Sequence, residues 1–368
     1  MKIFLRAKNI INIAFIDDGI NPAYFKQRHK LLSYKVEECA VTEEEATTRI
    51  SHGTSCFSVF EKAVTKKAKY NLISLNVIEQ KEYSGKIKNL SKAISWCIEN
   101  NVNLINLSIG TREYSDINEL YPVISLAADK GIIIVAACNN NNSITFPACF
   151  PMVIGVRHIS DNNLIGKYNY DNDAFDMIEV KTNIPEFTLY DKNKNPFFNC
   201  SCNSFATPFI TAKVFNIMAD GHFKLDKIKQ ILRLNSTPIS KAAIHNSNLV
   251  YSIKKLDALL VIVDDKFSLL INELISLFRA NGYNAVFLSC NKKTDFQNHI
   301  FKLKSHDLNT EEMIDLYYSY LLPDIMFVKD TELFHAELVR LCDFVLSDIA
   351  NASDSADMVY RKIVAAAT

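Results

Sequence analysis

The feature that most constrains this chain is an alternation. Short runs rich in Ile and Val recur through the first two-thirds, separated by segments with helical period. Residues 11–16, 70–78, 102–107, 132–137 and 152–156 read as strands, and 52–64, 87–99 and 117–130 as helices. Strands apolar on both faces must be covered on both faces, so the pattern predicts an α/β fold: a mostly parallel sheet sandwiched by helices. Residues 160–200 lose the period and carry many Asp, Asn, Lys and aromatic residues. They read as strands and loops leading to further helices at 204–218 and 224–234, with Pro238 ending the region. A second strand-helix series starts near residue 256, which divides the chain into a larger domain, 1–252, and a smaller α/β domain, 256–368.

Three polar punctuations interrupt the larger domain. Cys202-Asn203-Ser204-Phe205-Ala206-Thr207-Pro208 opens an apolar helix, which sets a serine hydroxyl beside the unpaired N–H groups and positive end of that helix. Pro208 falls early in it, where a missing N–H costs little. Ser51-His52-Gly53-Thr54-Ser55 opens another helix, and the strand at 11–16 ends in Asp17-Asp18-Gly19. A carboxylate, an imidazole and a hydroxyl are the parts of a nucleophilic triad, with the acid orienting the base and the base activating the nucleophile.

The order Asp17…His52…Ser204 is the chain order of the subtilisin triad. The Asp-x-Gly, His-Gly-Thr and Ser-x-Ala-Thr-Pro boxes resemble those of the subtilisin-like serine proteases over residues 10–250. That resemblance implies a serine endopeptidase with Ser204 as nucleophile, His52 as general base and Asp17 as the orienting acid. It favours Asp17 over Asp18, which is left an exposed or turn-forming role. Gly131 to Asn140 resembles the strand that ends in the family's Ala-Gly-Asn, which implies that Asn140 donates to the oxyanion. Asn139 would then replace Gly in a left-handed backbone conformation. The assignment can slip within Asn139–Asn142, and Asn203 stands where relatives have Thr. Ser108-Ile109-Gly110 resembles the edge on which an extended peptide substrate adds as a strand. Phe146-Pro147-Ala148 and Phe150-Pro151 resemble motifs that wall the primary specificity pocket.

Formal net charge is zero with no long basic run, which argues against nucleic acid or an anionic membrane as partner. Nine scattered cysteines, an odd number in apolar contexts, read as reduced buried thiols. Cys200-Ser201-Cys202 lacks the second cluster a zinc site needs, so no metal is implied. No cofactor is either, and the calcium sites of secreted relatives find no matching acidic loop. Residues 1–8 carry no signal-peptide pattern, and no apolar run is long enough to span a bilayer. The first box starts almost at once, leaving no room for a pro-domain, which resembles the intracellular branch of the family and predicts a cytoplasmic location.

The smaller domain looks flavodoxin-like, and its opening Leu259-Leu260-Val261-Ile262-Val263-Asp264-Asp265 resembles a receiver domain. Where that pattern places a phospho-accepting Asp after 325–328, this chain has Lys329 and then Asp330, so a scaffold for binding or dimerisation is the expectation. Gly282 is expected as the residue that ends the helix at 269–281. The reading is of a narrow-specificity protease acting on a peptide or protein precursor, such as the leader of a ribosomally made peptide. The smaller domain would engage the precursor or a partner protein. A general degradative protease, and a catalytically weak peptide-binding scaffold, are the alternatives.

Overall fold

The computed structural model describes residues 10–24, 31–37, 40–79, 84–85, 87–140, 144–172, 174, 177–185, 188–190, 196–198, 202–240, 257–303, 310–330 and 335–367. The N-terminal octet, Cys200-Ser201 and Asn141-Asn142 lie outside them. The chain forms two compact units, Met1–Asn248 and Leu249–Thr368.

In the first unit the strands are β1 (Ile11–Asp17), β2 (Leu31–Glu37), β3 (Ala40–Glu43), β4 (Tyr70–Asn76), the short pair β5 (Ile78–Glu79) and β6 (Ser84–Gly85), β7 (Leu104–Leu107), β8 (Ile133–Ala137), β9 (Ile154–His158), β10 (Tyr168–Tyr170), β11 (Val180–Thr182) and the hairpin β12 (Thr188–Tyr190) and β13 (Pro196–Phe198). Nine of them build one sheet in the order β10-β11-β9-β8-β7-β1-β4-β2-β3. Its seven central strands are parallel, and an antiparallel strand closes each edge. The β2–β3 hairpin has no counterpart in the sequence reading, because Leu31–Glu37 lacks the continuous apolar run of the inner strands and Ala40–Glu43 is short and mostly exposed.

Helices α1 (His52–Ala63), α2 (Ile87–Glu99), α3 (Ile117–Asp129), α4 (Asn203–Ala219) and α5 (Leu225–Leu234) complete the unit. Alternate residues of β1 divide the core: Ile11, Ile13 and Phe15 pack with the buried faces of α1 and α4. Phe15 meets Phe57 and Phe60 of α1 edge-on at 5.4 and 5.6 Å, and Phe60 meets Phe215 of α4 at 5.7 Å. Burying each such ring contributes about 1.5–3 kcal/mol, so the two helices are held rigidly against the sheet. This matters because α1 begins with His52 and α4 begins one residue before Ser204.

The second unit is a five-stranded parallel sheet of β14 (Leu259–Val263), β15 (Ala285–Ser289), β16 (Ile300–Lys302), β17 (Ile325–Lys329) and β18 (Phe344–Val345), in the order β16-β15-β17-β14-β18. Its class is α/β as read from sequence. Its strand order is third-second-fourth-first-fifth, whereas a flavodoxin-like sheet runs second-first-third-fourth-fifth. Apolar runs fix which segments are strands, but not the side of the first strand on which each successor pairs. Gly282 has φ +90° directly after the helix Ile271–Ala280 and its C-cap Asn281, as a helix terminator should. Among the described residues no helix is long and apolar enough to cross a membrane.

Candidate active site

The candidate residues lie where the central strands run out. Asp17 is the last residue of β1, Ser108 follows β7, and Asn139 and Asn140 follow β8, around the point where successive strands leave β1 in opposite directions. Ligands of open parallel sheets bind outside these carboxyl ends.

Asp17 is buried and accepts from His52 Nδ1 at 2.9 Å with both carboxylate oxygens, which directs Nε2 away from the acid. The imidazole is about a third exposed. The loop that presents it is tightly built. Ser51 Oγ caps α1 by accepting from the Thr54 N–H and donates to the Gly19 carbonyl, while Thr54 Oγ1 accepts from the Asn21 N–H. A Cβ on Gly53 would lie 2.6 Å from the Gly19 carbonyl oxygen and 3.1 Å from Asp17 Cβ, so the residue after His52 has to be glycine.

Asp18 departs from the exposed or turn-forming role expected of it. Half-buried, its carboxylate accepts from the His52 and Gly53 N–H groups at 3.1 and 2.8 Å and so holds the helix end that carries the imidazole. Burial, then repulsion from Asp17, raises its pKa.

Cys56, one helical turn after His52, is a contact the sequence reading missed. Its Sγ lies 3.8 Å from both imidazole nitrogens, 3.4 Å from Ser108 Oγ and 3.3 Å from the Ser204 carbonyl oxygen. The Cys56 sulfur and the Asp17 carboxylate raise the pKa of His52 above the ordinary imidazole range, against the opposing effect of burial. Burial pushes the Cys56 thiol up to about 11, so near neutral pH it is an uncharged S–H and Asp17 is the charge acting on His52.

Pro208, expected early in the helix, is the sixth residue of α4. There its missing N–H leaves the Ser204 carbonyl without its helical donor. Ser108 Oγ donates to that carbonyl at 3.0 Å and the Cys56 thiol at 3.3 Å, tying the nucleophile turn to β7 and α1.

Asn203, read from sequence only as a departure from Thr, has a bridging role that the sequence did not show. Its side chain accepts from the His158 N–H at 2.6 Å and donates to the Asn139 carbonyl at 2.6 Å, while its own N–H donates to Asn140 Oδ1 at 3.2 Å. A buried amide with both ends used joins β9, the loop after β8 and the start of α4. Threonine, with one short hydroxyl, cannot bridge the same two groups. The Asn140 amide is thereby held by its oxygen, and its nitrogen has no partner among the described residues. The Ser204 N–H, in the unpaired first turn of α4, has none either. Asn139 does not take the left-handed conformation expected of it: positive φ outside glycine occurs among the described residues at Asn101, Met177, His299 and Leu322. Its N–H donates to Thr145 Oγ1 and its carbonyl binds Asn203, so paired backbone groups shape this loop.

Asn140, Ser204, Ser108, Ile109 and Gly110 line one cleft of about 400 Å³. A Cβ on Gly110 would fall 2.6 Å from the Phe146 carbonyl oxygen, and Thr111 and Phe146 exchange two backbone hydrogen bonds that close the far wall. Phe205 brings its ring to 5.4 Å from the His52 ring. The structure therefore brings Asp17 to His52, and Asn140 to Ser204. Among the described residues the Ser204 hydroxyl has the Cys202 thiol as its partner at 3.2 Å, and it makes no hydrogen bond to His52. In substrate-free sites such bonds are commonly long and tighten when substrate binds. Asp17, His52 and Cys56 also offer three ligand atoms within 4.8 Å of one another, but His52 is already held by Asp17.

The Subtilase family model matches residues 8–251. The chain belongs to the subtilase family. Among curated relatives, this subtilase is 27% identical over 196 residues to the minor extracellular protease Epr of Bacillus subtilis strain 168, covering 49% of this chain and 28% of that protein. It is 23% identical over 173 residues to a thermostable alkaline protease of Halalkalibacterium halodurans, covering 46% of each. The match thus spans less than half the length of either relative. Among solved structures, the prenylagaramide maturation protease PagA is 18% identical with a TM-score of 0.45, covering 63% of this chain and 85% of that one.

Proposed function

We propose that this subtilase is a serine endopeptidase in which Ser204, His52, Asp17 and Asn140 carry the reaction. Ser204 Oγ attacks the peptide carbonyl as His52 Nε2 takes its proton, and Asp17 holds Nδ1–H and stabilises the imidazolium. Asn140 Nδ2 and the Ser204 N–H receive the oxyanion. The imidazolium returns the proton to the leaving amine, and water then releases the acyl group from Ser204 by the reverse sequence. Substrate adds in extended form along Ser108, Ile109 and Gly110. The observation that carries this reading is a pair of donors left over at one cleft. Asn140 is anchored through its oxygen by the residue before Ser204, and among the described residues neither its nitrogen nor the Ser204 N–H has a partner.

The substrate is a defined peptide or protein precursor, cut in a reducing, cytoplasmic compartment. The second α/β unit supports processing over bulk digestion, and the seven free cysteines of the described residues support the compartment. The test of the chemistry is a fluorophosphonate probe with the adduct located by mass spectrometry. Labelling at Ser204, abolished in Ser204→Ala and weakened in Asn140→Ala, is expected; folded protein that takes no label overturns the reading. Even digestion of unfolded casein at many sequences would overturn the narrow substrate range while leaving the chemistry intact.

A further inference from the structure

The cleft beside Ser204 is lined in part by the apolar residues Val77, Ile78, Ile87 and Leu90. Asp116 joins the same lining and is reached from Asn140 through a connected series of contacts. Asn139 donates to Thr145 Oγ1, Thr145 Cγ2 crowds Gly110, and Thr111, next in the chain, donates through Oγ1 to Asp116 Oδ2 at 2.6 Å. Among the described residues lining the cleft, Asp116 alone is charged.

Three observations set this carboxylate apart from a structural one. It stands at the junction where the 3-10 turn Tyr114–Asp116 enters α3, yet makes no capping hydrogen bond to α3. Thr111 occupies one of its oxygens, and Oδ1 has no partner among the described residues. No Lys, Arg or His of the described residues lies within ion-pairing distance of it, although it is half-buried. A carboxylate on a cleft wall with one oxygen unpartnered is able to accept a charge-assisted hydrogen bond from a bound cation. A substrate cation satisfies it, and a substrate anion is repelled by it.

Resting on the peptidase reading above, we infer that the cleft selects Lys or Arg immediately N-terminal to the cut bond, with Asp116 as the selecting group. The residue next to the scissile carbonyl is the one whose side chain enters beside Ser204 and Asn140. The Thr111 hydroxyl fixes Oδ2 and leaves Oδ1 for an ammonium or guanidinium. The substrate class is then a precursor with a basic residue at its processing site.

The experiment uses the full chain and peptides identical except for that residue: Arg, Lys, Leu, Phe or Glu. The expected kcat/KM for Arg and Lys exceeds that for Leu by roughly tenfold or more. Asp116→Asn removes that preference, and Asp116→Lys turns it toward Glu. On the unaltered chain, a peptide aldehyde ending in argininal inhibits at least about tenfold more tightly than its norleucinal counterpart, a comparison that needs no folded variant. Cleavage that favours an apolar or acidic residue overturns the inference, as does a basic preference that survives Asp116→Asn or equal inhibition by the two aldehydes. In each of those cases fluorophosphonate labelling of Ser204 persists and the peptidase reading stands. Absence of both cleavage and labelling overturns the two together.

Discussion

Both units place polar residues at the carboxyl ends of parallel strands, but they spend them differently. In the second unit these groups take one another or the backbone as partners. Lys329, the last residue of β17, binds Asp265 and Ser268, Asp330 pairs with His335 at 2.9 Å, and Asp264 accepts from the Ser347 N–H at 3.2 Å. Asp330, the carboxylate a receiver would phosphorylate, is already matched to an imidazole. In the first unit, pairing stops one atom short of the cleft. Asp17 holds one side of His52, Asn203 holds one end of Asn140, and Ser108 and Cys56 hold the Ser204 carbonyl. Among the described residues the atoms left without a partner are Asn140 Nδ2, the Ser204 N–H and Asp116 Oδ1, and His52 Nε2 has the Cys56 sulfur alone; these are the atoms proposed to act. The comparison teaches that a polar cluster becomes a site when its backing is satisfied and its front is not.

The largest way to break this contrast is to remove a front atom. Ser204→Ala should lower kcat by at least about 10³-fold without change in melting temperature, read by peptide hydrolysis and thermal unfolding. Asn140→Ala follows, at about 10²–10³-fold in kcat with KM nearly unchanged, since the amide acts on the oxyanion and not on bound substrate.

Removing backing should cost less and differently. Asn203→Ala is expected to lower kcat on the order of 10- to 100-fold through misaim of Asn140, with KM within about twofold. Asn203→Thr should recover only part of that loss. A change in KM alone would mean that the brace shapes substrate binding instead.

Cys56→Ala tests the pH dependence. His52 must be neutral to accept the proton, and between pH 5 and 9 the Asp17 carboxylate is the charge that raises its pKa, because the Cys56 thiol loses its proton only at about 11. Activity therefore rises with pH along a limb displaced above the ordinary imidazole value of about 6.5. Deleting the uncharged thiol should leave that limb in place, read from kcat/KM between pH 5 and 9. A limb that moves toward lower pH would mean that the sulfur carries charge beside His52. A small effect belongs to the second unit: Asp330→Asn breaks a partly exposed pair and should cost about 0–1 kcal/mol of stability, with peptide hydrolysis unaltered.

Much of the architecture was legible beforehand. The segments read as helices at 52–64, 87–99 and 117–130 fold as His52–Ala63, Ile87–Glu99 and Ile117–Asp129. The parallel strands follow their Ile- and Val-rich runs, because a strand apolar on both faces has few other ways to bury itself. The β2–β3 hairpin at one side of the first sheet, and the short edge strand β16, were not legible, since short, partly exposed segments carry mixed patterns and gain their pairing from a distant neighbour.

The sequence by itself determined the α/β class, the order of the polar boxes and the types of residue that close them. Those properties follow from local pattern: period, burial and the residues a turn or helix start demands. Tertiary structure alone decided the rest. Asn203 reaches back 64 residues to Asn139, Cys56 reaches 148 forward to Ser204, and Asp18 caps a helix 34 residues away. Thr111, which binds Asp116 five residues on, is itself placed by its backbone pairing with Phe146. Hydrogen bonds of this kind depend on where folding brings separate segments together, and no local pattern encodes that separation.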